Sequence, residues 1–245
     1  MNKIMVFEKL MPESGKILTS RMWRDLEIGD SRDLRESMIM EQLVSRGIQE
    51  RDIIEAFRKV PRHVFIPHVD LLSAYGDHPV GIKSGQTISQ PFIVALMILY
   101  LDLKPQHRIL EIGSGSGYAT AILSLLCHQV DAMEVFQELL EDAKAVVRRL
   151  ELSNIRFQHQ SAWEQLPPGQ VYDRIILWAS PPRVPSHLFD CLSKEGGVLV
   201  SPEGKFDQFV NIYTQRGGKI DKKQTDAVRF VPLVQGTVHE IDRRT

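Results

Sequence analysis

The residues best suited to chemistry in this sequence are a run of glycines directly after an apolar segment and an acidic residue in the next apolar run. The glycine run reads ILEIGSGSGY at 109–118, and the acidic residue is Glu134. Glycines allow a tight turn between a strand and a helix, so the backbone can come close to a ligand. A carboxylate at the end of the following strand can accept hydrogen bonds from both hydroxyls of a ribose. The pair predicts a nucleoside-binding site.

Three interpretations of the glycine run are open: a turn that only packs a helix on a sheet, a dinucleotide site, and a site for S-adenosyl-L-methionine. The spacing is GxGxG rather than GxGxxG, and Glu111 stands just before the run. A pyrophosphate would be repelled by that carboxylate, whereas the ammonium and sulfonium of S-adenosylmethionine would be attracted. The run therefore favours S-adenosylmethionine, and the residues predicted to bind it are Glu111, Gly113, Ser114, Gly115, Ser116, Gly117 and Glu134.

The elements that would position these residues alternate along the chain. Strand-like runs at 108–112, 129–135, 154–158, 174–178 and 197–201 alternate with helix-like runs at 116–127, 137–150 and 185–192. Such alternation predicts an α/β fold of the Rossmann-like methyltransferase type, with a mostly parallel sheet and helices on both faces.

The segments on either side of this core have their own patterns. Before it, residues 32–90 read as a helical cap of two helices, one ended by Gly47 and one stopped by Pro61, followed by a long irregular loop from 64 to 90. After it, two β-rich segments flank RGGK at 216–219 and predict an antiparallel hairpin. We expect a single domain at 32–245, with the cofactor-binding core at 91–205, a β segment at 206–236, and an N-terminal extension at 1–31.

Composition excludes several classes of protein. The formal net charge of −1 provides no field for nucleic acid or anionic lipid, and two cysteines without CxxC spacing argue against disulfides or structural zinc. The apolar run FIVALMILYL at 92–101 is about half as long as a membrane span and predicts a buried helix. The start of the chain lacks a secretion-signal pattern. We expect a cytoplasmic protein with no bound metal, membrane or nucleic-acid partner; the sequence does not fix the oligomeric state, and a monomer is favoured.

Four further motifs accompany the glycine run: VPRHVFIP at 60–67, AYGD at 74–77, GQTISQP at 85–91 and VRFVPL at 228–233. With it, they resemble the bacterial protein-L-isoaspartate O-methyltransferases over about 34–236. The resemblance implies methyl transfer from S-adenosylmethionine to the free carboxylate of L-isoaspartyl and D-aspartyl residues, which begins repair of damaged proteins through a succinimide. The partners it implies are isoaspartyl-containing proteins and peptides.

The resemblance also implies roles for the GQTISQP loop. Ile88 and Ser89 would lie over the cofactor, with the Ser89 hydroxyl as the active-site group, and Thr87, Ile88 and Gln90 would contact the substrate peptide. From the residues alone, Ser89 is also suited to be the N-cap of a helix starting at Gln90, because serine is a preferred cap and proline is tolerated in the first turn. The two roles are compatible.

Three strand ends depart from the family pattern. One reads Val200-Ser201-Pro202-Glu203-Gly204 where the family has Val-Pro-Val-Gly. Where the family has Gly-Asp-Gly near the adenine, this chain has Gln160-Ser161-Ala162, so Ser161 and Ala162 are the expected contacts. Where the family has small residues after the next strand, this chain has Trp178 and Ala179, and the indole either narrows the acceptor pocket or packs in the core. These departures leave two alternatives open: a methyltransferase with another carboxylate acceptor, and a weakly active or silent S-adenosylmethionine-binding homologue.

Overall fold

Nine strands occur in the computed structural model, which describes residues 26–242. Two short strands form a separate antiparallel ladder, and the other seven form the central sheet in the order β5-β4-β3-β6-β7-β8-β9. The first five strands in that order are parallel to one another. Strand β8 is antiparallel to both of its neighbours, β7 and β9. The strands are β1 (Val80–Gly81), β2 (Thr87–Ile88), β3 (Arg108–Ile112), β4 (Gln129–Glu134), β5 (Ile155–His159), β6 (Arg174–Leu177), β7 (Glu195–Glu203), β8 (Gln208–Arg216) and β9 (Lys219–Val228).

Eight α-helices accompany the strands in the described residues. The first continues into a π-helical turn and a 3-10 turn that ends at Gly47, whose φ of 95° is the left-handed conformation that glycine favours. The second ends two residues before Pro61, as the sequence predicts. The helices are α1 (Ser31–Met38), α2 (Arg51–Lys59), α3 (Leu71–Ala74), α4 (Pro91–Tyr100), α5 (Tyr118–Ser124), α6 (Gln137–Arg149), α7 (His187–Asp190) and α8 (Val238–Asp242).

Both faces of the central strands β3 and β6 are buried, which is why most of their residues are apolar. Alternate residues of one strand belong to two different apolar clusters: in β3, Ile109 belongs to the larger and Leu110 to the smaller. The larger cluster includes residues of α1, α2, α4 and α5, and the smaller includes Leu188 of α7. This layering confirms the predicted fold class.

The C-terminal hairpin is also confirmed. Strands β8 and β9 pair antiparallel and are joined by Gly217 and Gly218, whose φ values of 55° and 80° suit the tight turn of a two-residue hairpin. Strand β9 forms the edge of the sheet and is almost entirely exposed. Lysines on an exposed edge strand disfavour pairing with another chain, and β9 carries three, Lys219, Lys222 and Lys223.

Two local predictions are wrong. The stretch at 64–90 is not irregular throughout: it contains α3, which Asp70 caps by accepting from the Ser73 backbone N–H at 2.9 Å, and the β1–β2 ladder. The helix predicted at 185–192 is a single turn, α7. Strands of two residues and helices of four are too short to show a period in the sequence.

The ends of the chain are only partly described. Within the predicted extension, the Leu26 carbonyl lies 3.0 Å from Nε2 of His63, and Glu27 pairs with Arg35. Residues 1–25 and 243–245 lie outside the described residues, so the predicted extension at 1–31 stays a prediction for most of its length. No helix in the described range is long and apolar enough to cross a membrane.

Candidate active site

A cleft opens where the parallel strands end, at the point where the chain order in the sheet reverses between β3 and β6. Ligand sites of open parallel sheets occur at this position. The cleft holds about 790 Å³ of space, its open mouth included. Most of its wall comes from four segments at or beside strand ends, at 86–89, 112–116, 133–136 and 178–179, and from a fifth at 231–234.

The glycine loop is held in place by backbone contacts. The N–H groups of Gly113 and Ser114 both donate to the Met133 carbonyl, at 2.9 and 3.1 Å. Gly117 has a φ of 84°, and a Cβ there would lie 2.9 Å from the Cβ of Ala143 on α6. Gly117 is therefore required for close packing of the loop on α6, whereas Gly113, Ser114, Gly115 and Ser116 line the cleft.

Glu134 is almost completely buried, and its carboxylate accepts three backbone hydrogen bonds. Oε2 accepts from Gly115 N at 2.8 Å, and Oε1 accepts from Val135 N at 2.8 Å and Phe136 N at 3.1 Å. Burial raises the pKa of Glu134, and these three N–H groups oppose the rise. Because a carboxylate offers about four acceptor positions, Oε2 retains one for a ligand hydroxyl.

Glu111 has a different environment, behind the cleft wall. It is fully buried, and Oε1 accepts a hydrogen bond from Nε1 of Trp178 at 2.8 Å. Oε2 has no partner within the described residues, and the nearby Thr120 hydroxyl, which also lacks one, does not complete a hydrogen bond to it. Burial raises the pKa of Glu111 to about 7, an effect that Thr120 and Trp178 reduce and Glu134 increases. Glu111 does not line the cleft, so it supports Trp178 from behind.

Trp178 combines the two alternatives that the sequence left open. Its side chain is 8% exposed and belongs to the larger apolar cluster, and it also lines the cleft beside Ala179. The hydrogen bond to Glu111 fixes the orientation of the indole ring, so the ring is a rigid part of the wall.

Ser89 lies on the cleft wall and is half-buried. Helix α4 begins at Pro91 with Gln90 as its N-cap residue and without a side-chain cap, so the interpretation of Ser89 as the N-cap is wrong. The amide of Gln90 instead donates to Asp77 Oδ1 at 2.7 Å. Among the described residues the Ser89 hydroxyl has no hydrogen-bond partner, which leaves it free to bind a ligand.

The segment expected at the adenine is only partly on the cleft. Ala162 and its neighbour Gln160 line it. Ser161 is fully buried and its hydroxyl donates to the Gly236 carbonyl at 2.6 Å and accepts from the Trp163 backbone N–H at 3.2 Å. Its hydroxyl is therefore committed to holding the C-terminal segment.

Most of the predicted site residues lie together. Four of them do not line the cleft: Glu111, Gly117, Ser161 and Gln90. Those that do line it are Thr87, Ile88, Ser89, Gly113, Ser114, Gly115, Ser116, Glu134, Ala162, Trp178 and Ala179.

The sequence interpretation missed the wall formed by residues 231–234, together with Val135 and Phe136 after β4. This wall is attached to the strand end at Ser180, which donates to the Val231 carbonyl at 2.8 Å and accepts from the Leu233 N–H at 2.9 Å. The available signal was the apolar run VPLV after the hairpin, which had no role in the sheet.

The residues present fit an adenosyl cofactor. The bare backbone of the glycine loop permits close approach, Glu134 offers an open acceptor position, and Ile112, Met133 and Phe136 provide an apolar surface for a base. In the range 26–242, no group of three or more His, Cys, Asp or Glu side chains is placed to hold a metal ion.

Comparison with protein families also indicates a methyltransferase. The family model for protein-L-isoaspartate(D-aspartate) O-methyltransferase matches residues 34–238, which is most of the chain. The chain belongs to this family. The match ends close to the limits of 34–236 over which the sequence motifs resemble the family.

Two solved structures of the family are similar to this protein. One, from Plasmodium falciparum, is assigned as a protein-L-isoaspartate O-methyltransferase and contains S-adenosyl-L-homocysteine; it is 26% identical, with a TM-score of 0.73, over 85% of this chain and 100% of that chain. The other, a protein-L-isoaspartate O-methyltransferase, is 25% identical, with a TM-score of 0.74, over 82% of this chain and 66% of that chain.

Proposed function

We propose that this protein transfers a methyl group from S-adenosyl-L-methionine to the free carboxylate of L-isoaspartyl and D-aspartyl residues in damaged proteins and peptides. The observation that carries the proposal is the Ser89 hydroxyl, which lies without a partner in the described structure on the wall of the same cleft as the glycine loop and Glu134. Family membership and the S-adenosylhomocysteine in the Plasmodium relative support the choice of cofactor.

The cofactor would be held by the glycine loop and Glu134. The open acceptor position on Oε2 of Glu134 suits the ribose hydroxyls, and Ala162, with Phe136, would contact the adenine. Bound S-adenosylmethionine supplies a methyl group on a sulfonium, which needs no further activation. The chain therefore has only to exclude water and orient the acceptor.

The acceptor carboxylate does not require a general base. Its ordinary pKa is about 4, so it is ionised at neutral pH. This agrees with the described cleft wall, which includes no histidine, lysine or cysteine. Ser89 would donate a hydrogen bond to one carboxylate oxygen and leave the other to accept the methyl group. Orientation of this kind contributes a large part of the barrier reduction in many transfer reactions.

Methylation converts the carboxylate into an ester with a better leaving group. The backbone amide nitrogen of the following residue can then attack the ester carbonyl, and methanol leaves as the succinimide ring closes. Water opens the ring at either carbonyl, which regenerates some normal aspartate. Neither step after methylation needs a residue of this protein.

The test is incubation with labelled S-adenosylmethionine and three matched peptides that contain isoaspartate, D-aspartate or normal aspartate at the same position. We expect base-labile methyl label on the first two and not on the third. Label on the normal aspartate peptide alone would instead support another carboxylate acceptor, consistent with the indole of Trp178 in the cleft wall. Cofactor binding without label on any peptide would support a silent homologue.

The role of Ser89 is tested with Ser89→Ala in the same assay. We expect kcat to fall about 10- to 100-fold, since one orienting hydrogen bond is lost, while the affinity for S-adenosylhomocysteine stays within about threefold. Ser84→Ala is the matched control, because Ser84 lies in the same loop and its hydroxyl contacts Glu138 outside the cleft. An unchanged kcat in Ser89→Ala would refute the role.

A further inference from the structure

Arg62 is a fully buried arginine that joins helix α3 to the Ser89 segment on the cleft wall. Its Nε donates to the Ala74 carbonyl at 2.9 Å, and its Nη2 donates to the Ser89 carbonyl at 2.9 Å. Its guanidinium carbon lies 5.0 Å from the ring centre of Tyr118, the first residue of α5 and a residue of the cleft wall. One side chain thus contacts the Ser89 loop and the helix that follows the glycine loop.

The burial of this cation is costly and uncompensated by an anion. Within the described residues no carboxylate pairs with Arg62, and Nη1 has no hydrogen-bond partner. Burial lowers the pKa of Arg62 to about 10, an effect that Tyr118 and Tyr75 oppose, so the group stays protonated at neutral pH. An unpaired charge inside a protein is destabilising unless its hydrogen bonds and ring contacts offset the loss of water.

The Ser89 carbonyl, which accepts from Arg62, makes no backbone hydrogen bond within helix α4. The first intrahelical bond of α4 runs from Val94 N–H to the Gln90 carbonyl, so the Ser89 carbonyl lies outside the helix. Arg62 fixes this carbonyl, and with it the peptide plane between Ser89 and Gln90. The direction of the Ser89 side chain depends on that plane because both are attached to the same Cα.

We propose that Arg62 is a positioning residue for methyl transfer, which holds the Ser89 hydroxyl in the direction that orients the acceptor carboxylate. This inference rests on the proposed function of the cleft. Arg62 itself touches neither substrate nor cofactor, since it does not line the cleft. A lysine cannot reproduce its role, because one ammonium cannot present the planar fork that serves two carbonyls and a ring together.

The chain offers a matched control in Arg174. This arginine is also buried, and its guanidinium also donates to backbone carbonyls, those of Leu101, Asp102, Asp173 and Gly196. It stands at the start of β6, whereas the cleft lies beyond the end of that strand. Arg62→Lys and Arg174→Lys therefore remove guanidinium hydrogen bonds to backbone carbonyls in the same chemical way, the first beside the cleft and the second at the end of β6 away from it.

The first measurement compares kcat of the two variants with their affinity for S-adenosylhomocysteine. We expect Arg62→Lys to lower kcat about 10- to 100-fold and to leave the affinity within about threefold, because the glycine loop and Glu134 are unchanged. Arg174→Lys should keep kcat within about threefold of the parent protein. Equal losses of kcat in both variants would mean that Arg62 acts only on stability, and would overturn the proposal.

The second measurement adds Ser89→Ala to each arginine variant. If Arg62 acts through the Ser89 hydroxyl, Arg62→Lys should change kcat by less than about twofold once that hydroxyl is absent. Losses that simply multiply would show that the two residues act independently, against the proposal.

The third measurement does not depend on activity. Hydrogen exchange of the backbone amides at 86–90 should be faster in Arg62→Lys than in the parent and in Arg174→Lys, and equal exchange in all three would count against the proposal. If the parent labels no peptide, the proposed function fails while this exchange difference still tests the contact. Should Arg62→Lys not fold, Arg62→Gln serves in all three experiments, because it keeps one donor and removes the buried charge.

Discussion

Glu111 and Glu134 end neighbouring parallel strands, and both are almost completely buried, yet their surroundings differ. Glu134 accepts three backbone N–H groups and lies on the cleft wall. Glu111 accepts one indole N–H, leaves one oxygen without a partner in the described structure, and lies behind the wall. Burial raises the pKa of both carboxyls, but at Glu134 three N–H groups oppose the rise, whereas at Glu111 the pKa reaches about 7.

The difference shows that residue type and spacing do not distinguish a ligand-binding carboxylate from a supporting one. Both were predicted to bind the cofactor from their positions beside the glycines. What separates them is the number of hydrogen-bond donors that surround each carboxylate, because a buried carboxylate stays ionised only where donors replace water. We therefore expect replacements of the two acids to have different effects.

The largest effect should come from Glu134→Ala. We expect its affinity for S-adenosylhomocysteine to fall about 300-fold, since the one ligand hydrogen bond that Oε2 can still accept, of up to about 3 kcal/mol, and the contact that holds the Gly115 N–H would both be lost. Glu111→Gln should stay within about threefold of the parent. Titration calorimetry on both variants measures the contrast, and equal losses would show that both acids hold the cofactor directly.

A smaller effect is expected on stability in Glu111→Gln. In the folded protein the pKa of Glu111 is raised from 4.5 to about 7. The contribution of this carboxyl to the free energy of unfolding is therefore fully present below pH 4.5 and is lost as the pH rises through 7. Glutamine removes the buried charge and should raise the free energy of unfolding by about 3 kcal/mol at pH 8, and by little at pH 5. Urea unfolding at both pH values tests this. The exposed Glu195→Gln is the control, and a pH-independent gain would contradict the explanation.

The smallest effect is expected from Trp178→Phe, which removes the one hydrogen-bond donor seen on Glu111. We expect the free energy of unfolding to fall by about 1 kcal/mol at pH 5, where the acid is neutral, and by about 2 kcal/mol at pH 8, where it is charged. The same loss at both values would mean that the indole contributes by packing alone. The double variant with Glu111→Gln should remove most of the pH dependence.

Much of the fold could be predicted because its signals are local. The strand predicted at 108–112 has the observed bounds, since a polar turn precedes it and glycine follows it. The hairpin was recognisable from the two glycines at its turn. The π-helical turn after α1 and the β1–β2 ladder have no such signal, because neither contains enough residues to show a period.

The site was predictable wherever it follows a strand directly. Ser161 was placed at the adenine because it stands where the family has the aspartate of Gly-Asp-Gly, but its hydroxyl donates to the Gly236 carbonyl instead. The wall at 231–234 and the burial of Arg62 depend on how distant segments meet, and no local pattern encodes either. A charged residue such as Arg62 is expected at the surface unless the fold provides its partners.

The wall at 231–234 links the cleft to the hairpin. These residues follow β9, at the sheet edge, yet they pair with Ser180 after β6, three strands away, and the Val234 carbonyl accepts from the Trp163 indole. A ligand in the cleft would favour the docked conformation of this segment. Occupancy of the cleft should therefore slow opening of the hairpin, although no residue of β8 or β9 lines the cleft, and the sheet edge would report cofactor binding at a distance.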